Sequence, residues 1–448
     1  MGDVTVGVDI GTSSVKAVAA DADGTVVARS RVPHALRVAA PDLLEHDATQ
    51  AWALGPVAAL DALGPTVLAR ARSVGVSAMV PSLAAVDPAG VPMTPGLLYG
   101  DARGRVAGAT GLNPADSGES LAFLRWCARA APGARGYWPA QAVATVALGA
   151  EPAIDTSTAA TAWPLFTGTG WDPEEAARLG VRVDQLPRVV GLGEGIGSVD
   201  EVLITSGAVD ALAEQIVSDA RAVGDALVMC GTTLMTWVLT DHYVAAAAPL
   251  WCIPWHVPGR FVVGGPSNAG GLFLTWADAL LAAAAPVVVD PGRVPVWAPY
   301  PRGERVPLHD PDRRASLHGL DLTMGPAAVR QAAWEAAGFV VADTLARSGV
   351  TVRRLVVSGG GTRVAGWLQA LADCTGLPVA VPAVPEGAAL GMAWLGRMAL
   401  GLESGVGDAA RWARIERVVE PDPRWTSAAA ERFAVFRALS AAPPLPLR

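Results

Sequence analysis

A carboxylate, a glycine, a run of hydroxyls and an amine stand close together near the start of the chain: Asp9, Gly11, Thr12, Ser13, Ser14 and Lys16. Such a set can hold a phosphate. Backbone N–H groups at a glycine-containing tip and small hydroxyls wrap an anion, and a neighbouring carboxylate can hold the metal that travels with it. Lys16 adds a cation, and it is the only lysine in the chain. The elements that must present these groups are readable. Val4 to Val8 alternate as a strand, which Asp9 ends. Val15 to Ala19 reads as a second strand, Asp23-Gly24 as a tight turn and Thr25 to Arg31 as a third strand. The pattern is short, and an edge hairpin with a polar tip would look the same.

A second copy favours the phosphate reading. Ala226 to Leu239 repeats the plan, with an apolar run, then Gly231-Thr232-Thr233, then another apolar run. Aligning Gly231 on Gly11 sets Met229 opposite Asp9, so the second hairpin keeps the hydroxyl tip without the carboxylate. Two such hairpins suggest a duplicated architecture that clamps a polyphosphate from both sides. A third glycine run, Gly359-Gly360-Gly361, follows an apolar stretch and precedes a helical pattern from Trp367 to Asp373. Glycine there lets the backbone approach a flat or anionic ligand.

These stretches carry a resemblance. The chain resembles the FGGY carbohydrate kinases of the actin-like ATPase superfamily, and within them the xylulokinase-like branch. The matching segments are Asp9 to Lys16, Leu98 to Arg103, Thr205 to Asp210, Cys230 to Thr233, Pro299 to Arg305 with Asp310-Pro311, Ser358 to Asp373, and Glu386 to Gly391. They fall in the family's order and span nearly the whole chain. The resemblance implies an α/β fold of two actin-like (ribonuclease H-like) domains with a nucleotide cleft between them, expected over residues 1–220 and 221–448. It implies ATP and Mg²⁺ as cofactors and a small-molecule sugar or polyol as acceptor. Gly11, Thr12, Ser13 and Lys16 would hold nucleotide phosphates from one side, and Gly231, Thr232 and Thr233 from the other. Gly271 opens a helix beside the nucleotide, and Gly360 and Gly361 pack on adenine or ribose. Asp9 would position the metal. Tyr99, Asp101 and Arg103 resemble the family's aromatic–x–Asp–x–Arg motif beside the sugar, although the residues alone read as a turn with a surface ion pair. Asp210 matches the family's catalytic base; read by itself it is a first-turn helix aspartate.

Some positions depart from the pattern. The family's Gly-Gln-Met-His-Gly aligns with Ala78 to Ser82, so its sugar-contacting Met and His become Val80 and Pro81. The asparagine that often follows the base is Ala211. These changes remove polar contacts and argue against D-xylulose itself. A kinase for another polyol, aldonate or ribulose, or a silent nucleotide-binding switch, stays open on the sequence.

Composition bounds the rest. The chain has 448 residues, 51% of them apolar, enough for two sizeable domains. Its net charge of −8 argues against nucleic acid or an anionic membrane as the main partner. Cys127, Cys230, Cys252 and Cys374 are scattered without a C-x-x-C pair and read as buried free thiols of a cytoplasmic protein. No apolar run is long enough to span a membrane. A homodimer is expected by analogy.

Among the remaining elements, Ala48 to Leu63, Leu121 to Ala130, Ala140 to Leu148 and Ala327 to Ala346 read as helices. Val202 to Ile204 reads as a short strand, with Gly207 beginning the turn into the Asp210 helix. Asp155 reads as a helix N-cap. Gly303-Glu304-Arg305 reads as a structural ion-pair loop, and the proline-rich tail as frayed.

Overall fold

A computed structural model describes residues 2–40, 43–104, 119–245, 250–281, 288–310 and 312–442. Pro311 and the proline-rich end lie outside them. The chain forms two compact units, Met1–Val217 with Glu386–Ala413, and Ser218–Pro385 with Arg414–Arg448.

The first unit is built on a six-stranded sheet. Its first hairpin joins Val4–Ile10 to Ser14–Ala20, and Val26–Pro33 extends it at the edge. On the other side Val4–Ile10 pairs in parallel with Ala71–Ala78, which pairs in parallel with Val202–Val209. Every residue of Val4–Ile10 is buried. This is what a central strand covered on both faces requires, and it explains the near-continuous apolar run. The helices Ala140–Ala147 and Gly387–Ala399 pack on this sheet. The latter follows the long segment Ser218–Pro385 of the second unit yet belongs to the first unit. Gly7 makes its seat: a Cβ there would lie 1.7 Å from the Ala389 carbonyl oxygen.

The second unit repeats the order. Asp225–Cys230 forms a hairpin with Leu234–Thr240, which pairs with Phe261–Ser267, while Asp225–Cys230 pairs in parallel with Arg354–Ser358 and that strand with Val379–Pro382. Each sheet thus has an antiparallel hairpin whose first strand also leads a parallel run. The duplication expected from the two glycine tips is a duplication of topology. The core of this unit lies under the helices Pro326–Ser348, Ala365–Thr375 and Pro423–Ala441. Arg432 and Glu335 lock the last helix to the first with a bidentate pair, both bonds 2.7 Å and both residues buried. Replacing Arg432 with leucine leaves a carboxylate buried without its cation. It should cost roughly 3–5 kcal/mol in denaturant unfolding, and pairing it with Glu335→Leu should recover much of that loss.

Three details differ from the sequence reading. The first strand runs on through Asp9 to Ile10, so the carboxylate sits in the ladder opposite Lys16. The strand expected to stop at Ile204 reaches Val209, and the helix begins at Asp210. Ser206-Gly207 look like strand breakers but form an irregularity, where the register against Ala71–Ala78 shifts between Thr205 and Ala208. The expected helix from Ala48 opens as a π-helical turn, Thr49–Leu54, and becomes α-helical over Gly55–Asp61. Asp155 caps its helix as expected, accepting from the N–H groups of Ser157 at 2.9 Å and Thr158 at 3.1 Å. Cys127 and Cys230 are buried and Cys252 and Cys374 half-buried; all four are free. Among the described residues no helix is long and apolar enough to cross a membrane.

Candidate active site

Both hairpin tips are three residues long, Gly11–Ser13 and Gly231–Thr233, because in each hairpin the ladder closes immediately on either side. In the first, the Gly11 N–H donates to the Ser14 carbonyl at 3.1 Å. Asp9 and Lys16 face each other one step below the tip, with Nζ 3.2 Å from Oδ2. Ser77, from the parallel neighbour strand, lies 3.3 Å from Asp9 Oδ1.

Around this pair gathers more negative charge than one lysine balances. Asp9, Glu214 and Glu386 all raise the pKa of Lys16, Asp9 most. Asp210 is the first residue of the helix Asp210–Val217, carried there by the end of Val202–Val209. Its carboxyl is largely desolvated while the residue keeps some exposed edge. Loss of solvent, then the Asp9 charge, push its pKa up to about 7. Its Oδ1 accepts from the Ala211 N–H at 2.7 Å. Glu214 stands four residues further on, buried against the start of the helix Gly387–Ala399. The first unit thus sets the Asp210 carboxyl, its pKa raised to about 7, near the Asp9–Lys16 pair and Glu214.

Divalent cations fit this excess charge. Among the described residues no group of three His, Cys, Asp or Glu could hold a metal by itself. Mg²⁺ keeps several waters and takes one or two carboxylates together with substrate phosphates. Asp9 is the carboxylate that the first hairpin carries beside its tip.

The loop after Gly96–Leu98 holds Tyr99, Asp101 and Arg103. Tyr99 is nearly buried, and its OH lies 2.7 Å from Thr12 Oγ1. Asp101 is fully enclosed and its oxygens are already committed. Oδ2 accepts from Leu44 N–H at 2.8 Å and Arg103 Nη2 at 2.6 Å, and Oδ1 from the Arg103 N–H at 2.9 Å. Arg103 also reaches Glu45 at 2.7 Å and lies over Trp126. Gly100 N–H is held by Glu119 at 2.9 Å. Asp101, expected beside the sugar as an acceptor, holds this loop together from within. The loop's ion cluster lies inside the protein, unlike the surface pair that the residues alone suggested. Val80 and Pro81 follow the end of Ala71–Ala78 and are both half-buried.

In the second unit the Gly231–Thr233 tip rests on the helix Gly271–Leu280. Gly271 N–H donates to the Gly231 carbonyl at 2.8 Å and Leu272 N–H to that of Thr232 at 3.1 Å. The Gly271 N–H is therefore engaged by the hairpin, and the residue fixes the tip. Gly359 takes a left-handed φ of 86°, and a Cβ on Gly361 would strike Cys230 at 2.5 Å. This close approach seats the glycine turn on the second hairpin. Gly360 faces open space, with nothing within 4 Å of an added Cβ.

Glu304 and Arg305 act on the same tip. Glu304 is buried and accepts from Ser267 Oγ, Asn268 N–H and Arg305 N–H, each at 2.7 Å. Burial pushes its pKa up to about 7. Arg305 reaches Asn268 Oδ1 at 3.2 Å and Thr233 Oγ1 at 3.3 Å. Glu304→Ala strands three donors, the Ser267 hydroxyl among them buried, and should cost roughly 3 kcal/mol of stability. Glu304→Gln keeps an acceptor and should lose much less. Urea unfolding of the two variants side by side checks this.

Glu214, Glu386, Ser77, His46 and Arg305 were not singled out as site residues from the sequence. Glu214 carried a local signal, one helical turn beyond Asp210, and Arg305 and Glu386 lie in segments that match the family.

Two family descriptions match the chain. The N-terminal domain of the FGGY family of carbohydrate kinases matches residues 4–107, and its C-terminal domain residues 205–400. A glycerol kinase of Allorhizobium ampelinum is 29% identical over 301 residues, covering 61% of this chain and 60% of that one. A xylulose kinase of Klebsiella pneumoniae is 25% identical over 478 residues, covering 96% and 97%. Among solved structures, a gluconate kinase from Lactobacillus acidophilus superposes with a TM-score of 0.82 at 19% identity, over 98% of this chain and 99% of that one. That likeness establishes the shared fold, two actin-like units with the repeated sheet order described above. With both domain descriptions matched in order over about two thirds of the sequence, the chain belongs to the FGGY family of carbohydrate kinases.

Proposed function

We propose that the protein transfers the γ-phosphoryl group of ATP to a hydroxyl of a sugar, polyol or aldonate, with Asp210 as general base. The observation that carries this reading is the Asp210 carboxyl, desolvated and raised to about 7 at the head of its helix. A base of that strength is about half ionised near neutral pH and accepts a proton as the hydroxyl attacks. Thr12 and Ser13 with Gly11, and Thr232 and Thr233 with Gly231, hold the nucleotide phosphates. Gly360 and Gly361 border its adenosine, and Gly271 supports the second tip. Asp9 would hold a Mg²⁺ ion, which would supply charge neutralisation to the phosphates. Lys16 pairs with Asp9 and orients it. Most of the rate comes from position and charge compensation.

The acceptor lies beside Tyr99, Val80 and Pro81, in a wall whose shape Asp101 and Arg103 fix. The relatives named above act on glycerol, xylulose and gluconate. Val80 and Pro81 supply no side-chain hydrogen bond, so the acceptor is one that does not need a donor there, and D-xylulose is disfavoured among them.

A coupled ADP-release assay with Mg·ATP tests this against ketopentoses, polyols and aldonates, beside Asp210→Ala. Turnover on one acceptor that Asp210→Ala abolishes is the expected result. ADP release that no acceptor raises above the background would sink the proposal.

A further inference from the structure

The first tip is held from behind by a short strand that belongs to neither of the two main sheets. Leu43–His46 lies in a five-stranded sheet next to Gly96–Leu98, the strand that leads into the Tyr99 loop. Three successive residues of it make three different ties. Leu44 N–H donates to Asp101 at 2.8 Å, Glu45 accepts from Arg103 at 2.7 Å, and His46 Nε2 lies 2.8 Å from the Thr12 carbonyl oxygen. The last tie can be assigned without ambiguity. The Trp52 indole N–H, which can only donate, points at His46 Nδ1 at 3.0 Å. Nδ1 is therefore the acceptor, the ring is neutral, and Nε2–H donates to Thr12. Both His46 and Trp52 are completely buried. His34 closes the other side, its ring edge-on to His46 at 4.4 Å and its backbone N–H on the Ser13 carbonyl at 3.1 Å.

Peptide planarity gives these bonds a consequence. With the Thr12 carbonyl turned in to His46, the N–H of the same peptide unit, on Ser13, is turned the opposite way. The tip's carbonyl dipoles are thus directed into the protein, and its donor side is left for an anion. A tip free to flip that peptide would present a carbonyl oxygen to the phosphate instead.

We propose that His46 is a positioning residue that fixes the Thr12–Ser13 peptide in its anion-binding orientation and ties it to the strand carrying the acceptor loop. This rests on the reading that the first tip holds nucleotide phosphate. His46 touches no substrate; it acts through the Thr12 carbonyl. Tyr99, by its hydroxyl on Thr12, adds a second tie from the acceptor side.

The test is titration calorimetry of Mg·ADP and of adenosine on the wild type, His46→Gln, His46→Phe and Tyr99→Phe, with thermal unfolding of each. His46→Phe should weaken Mg·ADP roughly tenfold or more, about one charge-assisted hydrogen bond, and leave adenosine unchanged. His46→Gln can still donate to the carbonyl and should fall within about threefold of the wild type. A general loosening would weaken both ligands alike, and that result overturns the proposal. So does a folded His46→Phe or His46→Gln pair that binds Mg·ADP equally. A wild type with no preference for Mg·ADP over adenosine would instead remove the phosphate reading of the tip itself.

Discussion

Asp210→Asn should lower kcat by roughly 10²–10⁴-fold while leaving nucleotide affinity close to that of the wild type. The same residue sets the pH dependence. Its carboxyl is raised from 3.8 to about 7 by desolvation first and the Asp9 charge second. The base form is lost on acidification, so kcat/KM of the wild type should fall as pH drops through about 7. Stability runs the other way. Between the unfolded and folded pKa values the native state holds the proton and the unfolded state does not, so this group's contribution declines as pH rises through that window. Asp210→Asn should flatten that decline, and unfolding midpoints measured from pH 5 to 8 will show it. A variant that keeps full turnover, or a wild-type profile flat across pH 7, would remove Asp210 from the role of base.

The second large effect lies in a glycine. Gly7→Ala places a methyl group 1.7 Å from the Ala389 carbonyl oxygen, and neither the central strand nor the helix can yield by that much. The helix Gly387–Ala399 would have to leave its seat, uncovering the buried strand Val4–Ile10. We expect a loss of at least about 4 kcal/mol, seen as little soluble protein or a much lowered unfolding midpoint. Gly133→Ala is the control, since nothing lies within 4 Å of a Cβ there. Equal stability of the two variants would mean that the helix is not held as the structure has it.

What could be read from sequence was what is local. Each tip is a strand, a glycine, hydroxyls and a strand, and each was legible within about fifteen residues. Asp210 was legible through the family's motif, since a first-turn aspartate by itself says nothing. What escaped depends on residues far apart in the chain. His46 reaches Thr12 across 34 positions and Arg305 reaches Thr233 across 72. No spacing rule marks such pairs. The bonds that Asp101 makes inside its loop escaped for a related reason. Its type suits a sugar acceptor, but Leu44, from 57 positions away, supplies the N–H that helps fill it. The strand to Val209 was cut short because Ser206-Gly207 resembles a stop, whereas a glycine inside a sheet lets a neighbouring backbone approach. A Cβ on Gly207 would come within 2.5 Å of the Val76 carbonyl oxygen.

The lone lysine gives the protein a built-in chemical reporter. Apart from the chain's amino terminus, Lys16 is the only primary amine available to an acylating reagent. Its side chain is about one-third exposed, and its ammonium is held by Asp9. Modification at this position therefore adds one mass increment per molecule on the strand that leaves the first tip. On the proposed reading of the first tip its rate should fall when nucleotide binds, without a mutation, a fluorophore or an engineered tag, and isotopic labelling through lysine would place a single side-chain resonance in the same spot.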